Sequence, residues 1–427
     1  MEYYIKTFGC QMNHSDSERI SGFLEMHGFS AALDVKNASL VIFNTCGVRQ
    51  MAEDRVYGQI HNLKESYPDK KIVLTGCLAN RKDVQRRLRD KVDLFLEIKD
   101  FPEELGRLIG AKNSQESNGS DYLKITPAYS SAFTASVPIM TGCDNFCSYC
   151  VVPYARGREI SRDPEDIIQE IRNLIRQGYK EIILLGQNVN SYNFGNTDFP
   201  KLLKDIEKIP GKFWLSFMSA HPKDYSDELI ETIAKSKKIS ELIHLPLQAG
   251  NDEILERMNR KYTRKQYLAL AKKIKAAFKK YKPGTPYSIT SDIIVGFPGE
   301  TRKQFADSAE VMKKVKYDMV YFGQFSPRPG TVAWKMKDNV SKKEKAYREN
   351  SLNEILKETA AANNRKYVGK MMEVLVDRKE DDAIYFARTR TGKHVRFESD
   401  KKGLVGKLVE LKIVKANCWN LEGTITK

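Results

Sequence analysis

Three cysteines within eight residues constrain this chain more than any other feature: Cys143, Cys147 and Cys150 in Thr141-Gly142-Cys143-Asp144-Asn145-Phe146-Cys147-Ser148-Tyr149-Cys150. They follow a strand-like segment, Ala135–Ile139, so the loop lies where a strand ends. Three thiolates on a short loop can hold three irons of a four-iron cluster, as cysteine loops do in ferredoxins. A ferredoxin supplies a fourth cysteine; none follows here within a plausible distance, which leaves one iron open. An open iron suits a chelating ligand. The amino and carboxylate groups of S-adenosylmethionine can occupy it and bring the sulfonium beside the cluster, where one electron splits a C–S bond and yields a 5′-deoxyadenosyl radical. The cofactor carries that chemistry and the protein positions it. The competing reading is a three-cysteine zinc site with a distant fourth ligand. Zinc sites usually pair a CxxC knuckle with a matched second half, and neither a second CxxC nor a nearby His is present.

Three further cysteines, Cys10, Cys46 and Cys77, have no short metal-binding spacing. Each directly follows a strand-like segment: IKTFGC, VIFNTC and KIVLTGC. The carboxyl ends of neighbouring strands in an open parallel sheet line one crevice, so these distant cysteines are expected to converge on a second cluster, again with one open iron. Read as buried small hydrophobes, as free cysteines often are, they would not be expected at the ends of three consecutive strands. Cys418 stands alone and receives no metal role. An odd number of cysteines, in a chain whose first residues show no export signal, argues against a disulfide framework.

The hydrophobic pattern divides the chain into three modules. In residues 1–120, strands are expected at Tyr3–Phe8, Leu40–Asn44 and Lys71–Thr75, with helices at Ser15–His27, through about Ser66, and from Arg81 to Leu88; this alternation predicts a parallel-sheet α/β domain. Residues 111–120 (AKNSQESNGS) read as a linker. In residues 131–365, strands at Ala135–Ile139, Glu181–Leu185, Phe213–Phe217, Leu242–Leu245, Ser288–Val295 and Met319–Phe325 alternate with helices such as Pro164–Gln177. Six βα units predict three-quarters of a (β/α)₈ barrel. In residues 366–427, short segments at Met372–Asp377, Ala383–Thr389, His394–Phe397, Leu408–Val414 and Leu421–Thr426 predict a small antiparallel β-barrel.

The string Cys147-Ser-Tyr-Cys150-Val-Val-Pro-Tyr-Ala-Arg156-Gly-Arg158-Glu resembles the methylthiotransferases of the radical SAM superfamily. So do Gly9-Cys10-Gln11-Met12-Asn13, Asn44-Thr45-Cys46 and Thr75-Gly76-Cys77, and the resemblance runs from residue 3 to the C-terminus. It implies two [4Fe-4S] clusters, S-adenosyl-L-methionine and an RNA-binding TRAM domain at 366–427. The strings CVVPYARG, LLGQNVNSY and GCQMN resemble the branch acting on isopentenylated tRNA more than the threonylcarbamoyladenosine or ribosomal-protein branches, and the implied reaction places a methylthio group on C2 of N6-isopentenyladenosine beside the anticodon. Two molecules of S-adenosylmethionine are then used, one to methylate sulfur at the N-terminal cluster and one to remove hydrogen from C2. Cofactor contacts are expected from Tyr149, within the cysteine loop, and from upper-rim loops where catalytic groups of such barrels gather: Gln187, Gln248 and the backbone near Val295. His221 is expected to be structural. Arg156 and Arg158 are candidates to pair with a carboxylate or phosphate.

The formal net charge of +16 favours a polyanionic partner. No run of about 18 apolar residues predicts a membrane span, so nucleic acid outranks membrane, and a cytoplasmic, monomeric protein with an electron donor of unknown identity is expected. Residues 366–427 hold 14 Lys+Arg against 9 Asp+Glu. Arg388, Arg390, Lys393, His394 and Arg396 are expected to be exposed to an RNA backbone, with Phe386 or Phe397 available to stack on a base. Three alternatives stay open: methylthiolation of threonylcarbamoyladenosine, methylthiolation of a ribosomal-protein aspartate, and a non-enzymatic iron–sulfur or zinc RNA-binding protein.

Overall fold

Every residue of Leu40–Thr45 is buried, as a strand covered on both faces of a parallel sheet requires. It is the centre of five parallel strands in the order Ser30–Ala31, Glu2–Thr7, Leu40–Thr45, Lys71–Gly76 and Leu94–Leu96. Ile42 and Val73 face one side, against Phe23 and Phe101. Val41, Phe43 and Leu74 face the other, against Val56, Ile60 and Val84. Helices Gln11–Met26, Gln50–Ser66 and Lys82–Leu88 make the crossovers. The computed structural model describes residues 1–47, 50–111, 121–381 and 383–425; apart from Ala111, the linker expected at 111–120 lies outside them.

The central module has six parallel strands: Thr134–Pro138, Glu181–Leu185, Trp214–Phe217, Leu242–His244, Ser288–Val295 and Met319–Gln324. They form two three-stranded sheets joined by a parallel bridge between Leu215 and Ile239. Described residues make no pairing between the first and last strands, so the barrel is open on that side. One continuous apolar core runs through it, from Ala135 and Ile182 to Val320 and Phe325. Helix Lys342–Arg365 then leads to a closed five-stranded barrel at the C-terminus. Four of its strand pairs are antiparallel, and one, His394–Glu398 with Asn420–Ile425, is parallel.

The C-terminal barrel docks through ion pairs. Arg388 reaches Glu181 at 2.7 Å and Asp377 at 2.9 Å. Arg390 reaches Glu241 at 2.9 Å, and Lys393 reaches Asp318 at 2.9 Å. Glu181 begins a barrel strand, while Glu241 and Asp318 each stand just before one. The module therefore caps the rim opposite the cysteine loop. This corrects the expectation that Arg388, Arg390 and Lys393 are exposed: the end of the strand Ile384–Thr389 and the turn after it insert these cations among acids of the barrel rim, and Lys393 is buried. Arg396 remains on the outer face, beside Glu398 at 3.0 Å, and His394 is exposed. Phe397 belongs to the barrel core, whereas Phe386 lies on the outer face under the Arg378 guanidinium, 4.2 Å from its ring centroid.

Breaking a buried ion pair by removing one partner strands the other charge. Arg390→Ala leaves buried Glu241 with Lys282 alone. A loss of about 3 kcal/mol is expected, seen as an earlier urea transition of the C-terminal module; an unchanged transition would mean that the pair does not hold the module in place.

Candidate iron–sulfur and cofactor site

The three glycines that precede Cys10, Cys77 and Cys143 all take left-handed backbone: Gly9 at φ +114°, Gly76 at +83° and Gly142 at +79°. A side chain there would be strained by conformation alone. It would also collide, since a Cβ on Gly76 would lie 2.4 Å from the Thr45 carbonyl oxygen and one on Gly142 would lie 1.9 Å from that of Arg158. At these three sites a left-handed glycine turns the chain into a cysteine.

The Cys143–Cys150 loop is tied to the barrel by backbone bonds, Cys143 N–H to Gly157 O at 3.1 Å and Ser148 N–H to Met258 O at 3.0 Å. The Asn259 side chain donates to Phe146 O at 2.9 Å. Cys143 and Cys147 are buried and Cys150 is partly so. Asn145 Nδ2 approaches the Cys143 sulfur at 3.6 Å, and Arg260 Nη1 approaches the Cys147 sulfur at 3.4 Å. Burial pushes the Cys150 thiol up to about 12, with Cys147, Cys143 and Cys77 adding to the rise; a bound metal reverses this, because a coordinating thiol is deprotonated outright. Among the described residues no three His, Cys, Asp or Glu side chains converge as ligands of a single ion. A four-iron cube spreads its thiolates over separate corners and needs no such convergence. Three thiols without a fourth, a buried cation on one and an amide on another, fit such a cluster with one iron open.

Cys10, Cys46 and Cys77 leave three adjacent strands at the same end, with Thr7 opposite Asn44 and Thr45 opposite Gly76. Cys46 and Cys77 are buried and Cys10 is exposed. This set abuts the first: a Cβ on Gly47 would lie 3.2 Å from Cys77 Cβ and 3.3 Å from Val151 Cγ2, and Val151 directly follows Cys150. Asn13 laces the set together, donating to Phe8 O at 2.8 Å and Thr45 O at 2.9 Å while its Oδ1 lies 3.6 Å from the Cys10 sulfur. Arg156, at the end of the short helix Val152–Arg156, crosses to the same Asn13 Oδ1 at 2.9 Å and to Asp16 at 2.6 Å. Buried Arg328, from the loop after the last barrel strand, has Cys46 among its electrostatic neighbours.

The expected cofactor residues fall on the same rim. Tyr149 packs against the barrel core beside Arg260 and Tyr262. Among the described residues the buried Gln187 side-chain oxygen has no hydrogen-bond partner, nor do Asn188 Oδ1 and Ser148 Oγ. Unpaired buried polar atoms are costly, and such a group at the mouth of a barrel asks for a ligand such as the methionyl end of S-adenosylmethionine. Gln248 holds a left-handed φ of +66° and bridges to Ile293. The Val295 side chain is wholly buried and its carbonyl accepts from Phe325 N–H at 2.9 Å, which commits that carbonyl to the barrel. Burial, followed by Arg260 and Lys223, pushes His221 down to about 2, and its Nδ1 accepts from the Lys223 N–H at 3.2 Å. Arg158 pairs at the surface with Asp144 at 3.1 Å. Sequence reasoning missed Asn13, Asp16, Arg260 and Arg328. Asn13 stood inside the string GCQMN, but nothing local marked the other three.

Residues 137–312 match the radical SAM superfamily, 2–97 the uncharacterized protein family UPF0004, and 365–426 the TRAM domain. Among solved structures, the radical S-adenosylmethionine methyltransferase TsrM from Kitasatospora setae, with cobalamin and a [4Fe-4S] cluster bound, superimposes with a TM-score of 0.55. The match covers 78% of this chain and 73% of that one at 13% identity, a likeness of fold alone. The tRNA-2-methylthio-N(6)-dimethylallyladenosine synthase of Clostridium botulinum is 44% identical over 99% of this chain and 96% of its own length. That of Carboxydothermus hydrogenoformans is 42% identical over 99% of both. At that identity over essentially the whole length, the chain belongs to the tRNA-2-methylthio-N(6)-dimethylallyladenosine synthase family.

Proposed function

We propose that this chain is a tRNA methylthiotransferase that places a methylthio group on C2 of N6-isopentenyladenosine next to the anticodon. The observation that carries this reading is the meeting of two three-cysteine sets across one seam, with Arg156 on the side of the cysteine loop bonded across it to Asn13 and Asp16. Cys143, Cys147 and Cys150 would hold one [4Fe-4S] cluster, and Cys10, Cys46 and Cys77 the other. When bound, the clusters supply the electron that cleaves S-adenosyl-L-methionine and the site where sulfur is held. The chain's own residues bind and orient. Gln187, Asn188 and Ser148 offer buried polar atoms to the methionyl group, and Tyr149 and Gln248 flank the same rim. Arg260, itself buried, offsets negative charge on the loop.

The three modules, 1–120, 131–365 and 366–427, divide this work into sulfur handling, radical generation and RNA delivery. The relatives' names support tRNA as substrate, and the TRAM match supports an RNA-facing module. Arg396 and the Arg378–Phe386 stack are its outward cationic face. The reading includes an electron donor outside the chain and a monomeric, cytoplasmic enzyme; no helix among the described residues is long and apolar enough to cross a membrane.

Replacing Cys143, Cys147 or Cys150 by Ala is expected to abolish 5′-deoxyadenosine formation, and retained formation would overturn the assignment of the loop. A Cys10/Cys46/Cys77 triple Ala variant is expected to keep 5′-deoxyadenosine formation and lose methylthiolated product. Arg156→Ala leaves Asp16 buried without its cation. It is expected to cost about 3–5 kcal/mol of stability in a thermal or urea titration and to depress product formation more than 5′-deoxyadenosine formation. Equal loss of both would mean that Arg156 serves the fold and not the spacing of the two cysteine sets.

A further inference from the structure

Between the lumen of the central barrel and the C-terminal module lies a cavity of about 330 Å³, within the range of small-ligand sites. Its walls include Met218, Leu242, Met319 and Tyr321 from the barrel, and His394 and Trp419 from the C-terminal module. Met218, Tyr321 and Trp419 are 39%, 59% and 37% exposed. Large apolar side chains scattered singly over a surface need no explanation, but several gathered on one cavity mark a binding site. Several polar groups of the cavity are already engaged. His244 Nε2 lies 3.1 Å from Asp292 and its Nδ1 lies 3.0 Å from Thr290 Oγ1, while Lys393 is paired with Asp318 at 2.9 Å.

We propose that this cavity takes the N6 substituent of the reacting adenosine, and that Trp419 of the C-terminal module helps to select it. The inference rests on the reaction proposed above and extends it to the choice of substrate. A branched five-carbon hydrocarbon finds apolar walls here. A substituent carrying a carboxylate, such as threonylcarbamoyl, would meet the Asp292 carboxylate, while Lys393 and Asp318 are paired with each other. Asp292 also offers an acceptor for the single N–H left on an alkylated N6. The C-terminal module thereby forms part of the wall that reads the base, in addition to contacting RNA.

The test compares the affinity of the full-length protein for two tRNAs that differ only in the isopentenyl group. Wild type is expected to favour the isopentenylated form. In Trp419→Ala that preference is expected to shrink by on the order of tenfold, the scale on which an apolar pocket discriminates. Met218→Ala, on the facing wall, is expected to act in the same direction and provides a second reading if the Trp419 variant is poorly folded. Absence of any preference in wild type, or a preference that persists intact in both variants, overturns the proposal. Failure of the reaction itself has a different signature: no methylthiolated nucleoside, whatever the ratio of affinities.

Discussion

The arrangement of the two cysteine sets depends on one buried ion pair. Arg156 and Asp16 meet at 2.6 Å with side chains 3% and 0% exposed. Taking two charges out of water costs several kcal/mol each, so such a pair persists only with good geometry and further hydrogen bonds. Asn13 supplies one, because its Oδ1 accepts from the same guanidinium nitrogen. The pair joins two elements that each sit beside cysteines. Asp16 belongs to the helix that starts directly after Cys10, and Arg156 ends the helix that starts just after Cys150. A change in its length would therefore be felt at both sets. The adjoining Arg19–Glu170–Arg162 network at 2.9 and 2.8 Å fastens the same N-terminal helix to the barrel.

The opposite rim of the barrel repeats this use of charge at lower cost. Glu181, Glu241 and Asp318 stand at the starts of strands, and the C-terminal module brings one cation to each. The central barrel is thus held at both ends, by the N-terminal module at its carboxyl rim and by the TRAM module at its amino rim. The cavity lies between four of the barrel strands and the C-terminal module. Charge in the C-terminal module is consequently divided between cations that hold the barrel rim and others, including Arg378 and Arg396, on the outer face.

Much of this was legible in the sequence because it is written in short-range patterns. The buried run Leu40–Thr45, the alternation in Ser288–Val295 and the cysteines after strands all follow from local periodicity, and each is found within a residue or two of its expected place. The placement of Cys10, Cys46 and Cys77 at one end of three adjacent strands followed from a rule about strand ends and needed no distance information. What stayed hidden was pairing across modules. Arg388 and Arg390 were expected to be exposed, but they point toward Glu181 and Glu241 and not toward solvent. Arg260 and Asp16 gave no local sign of their roles, because their partners lie 113 and 140 residues away. Leu94–Leu96 is too short for a periodic signal, and the parallel pairing of His394–Glu398 with Asn420–Ile425 depends on barrel closure, which strand patterns do not encode.

The central claim is that this chain inserts a methylthio group at isopentenylated adenosine. The most direct measurement uses protein with both clusters reconstituted without oxygen, incubated with isopentenylated tRNA, S-adenosylmethionine, sulfide and a reductant, followed by digestion and nucleoside mass analysis. The account predicts a methylthio-sized mass gain on the isopentenyl adenosine. Protein that carries its iron, forms 5′-deoxyadenosine and leaves that nucleoside unchanged would contradict it.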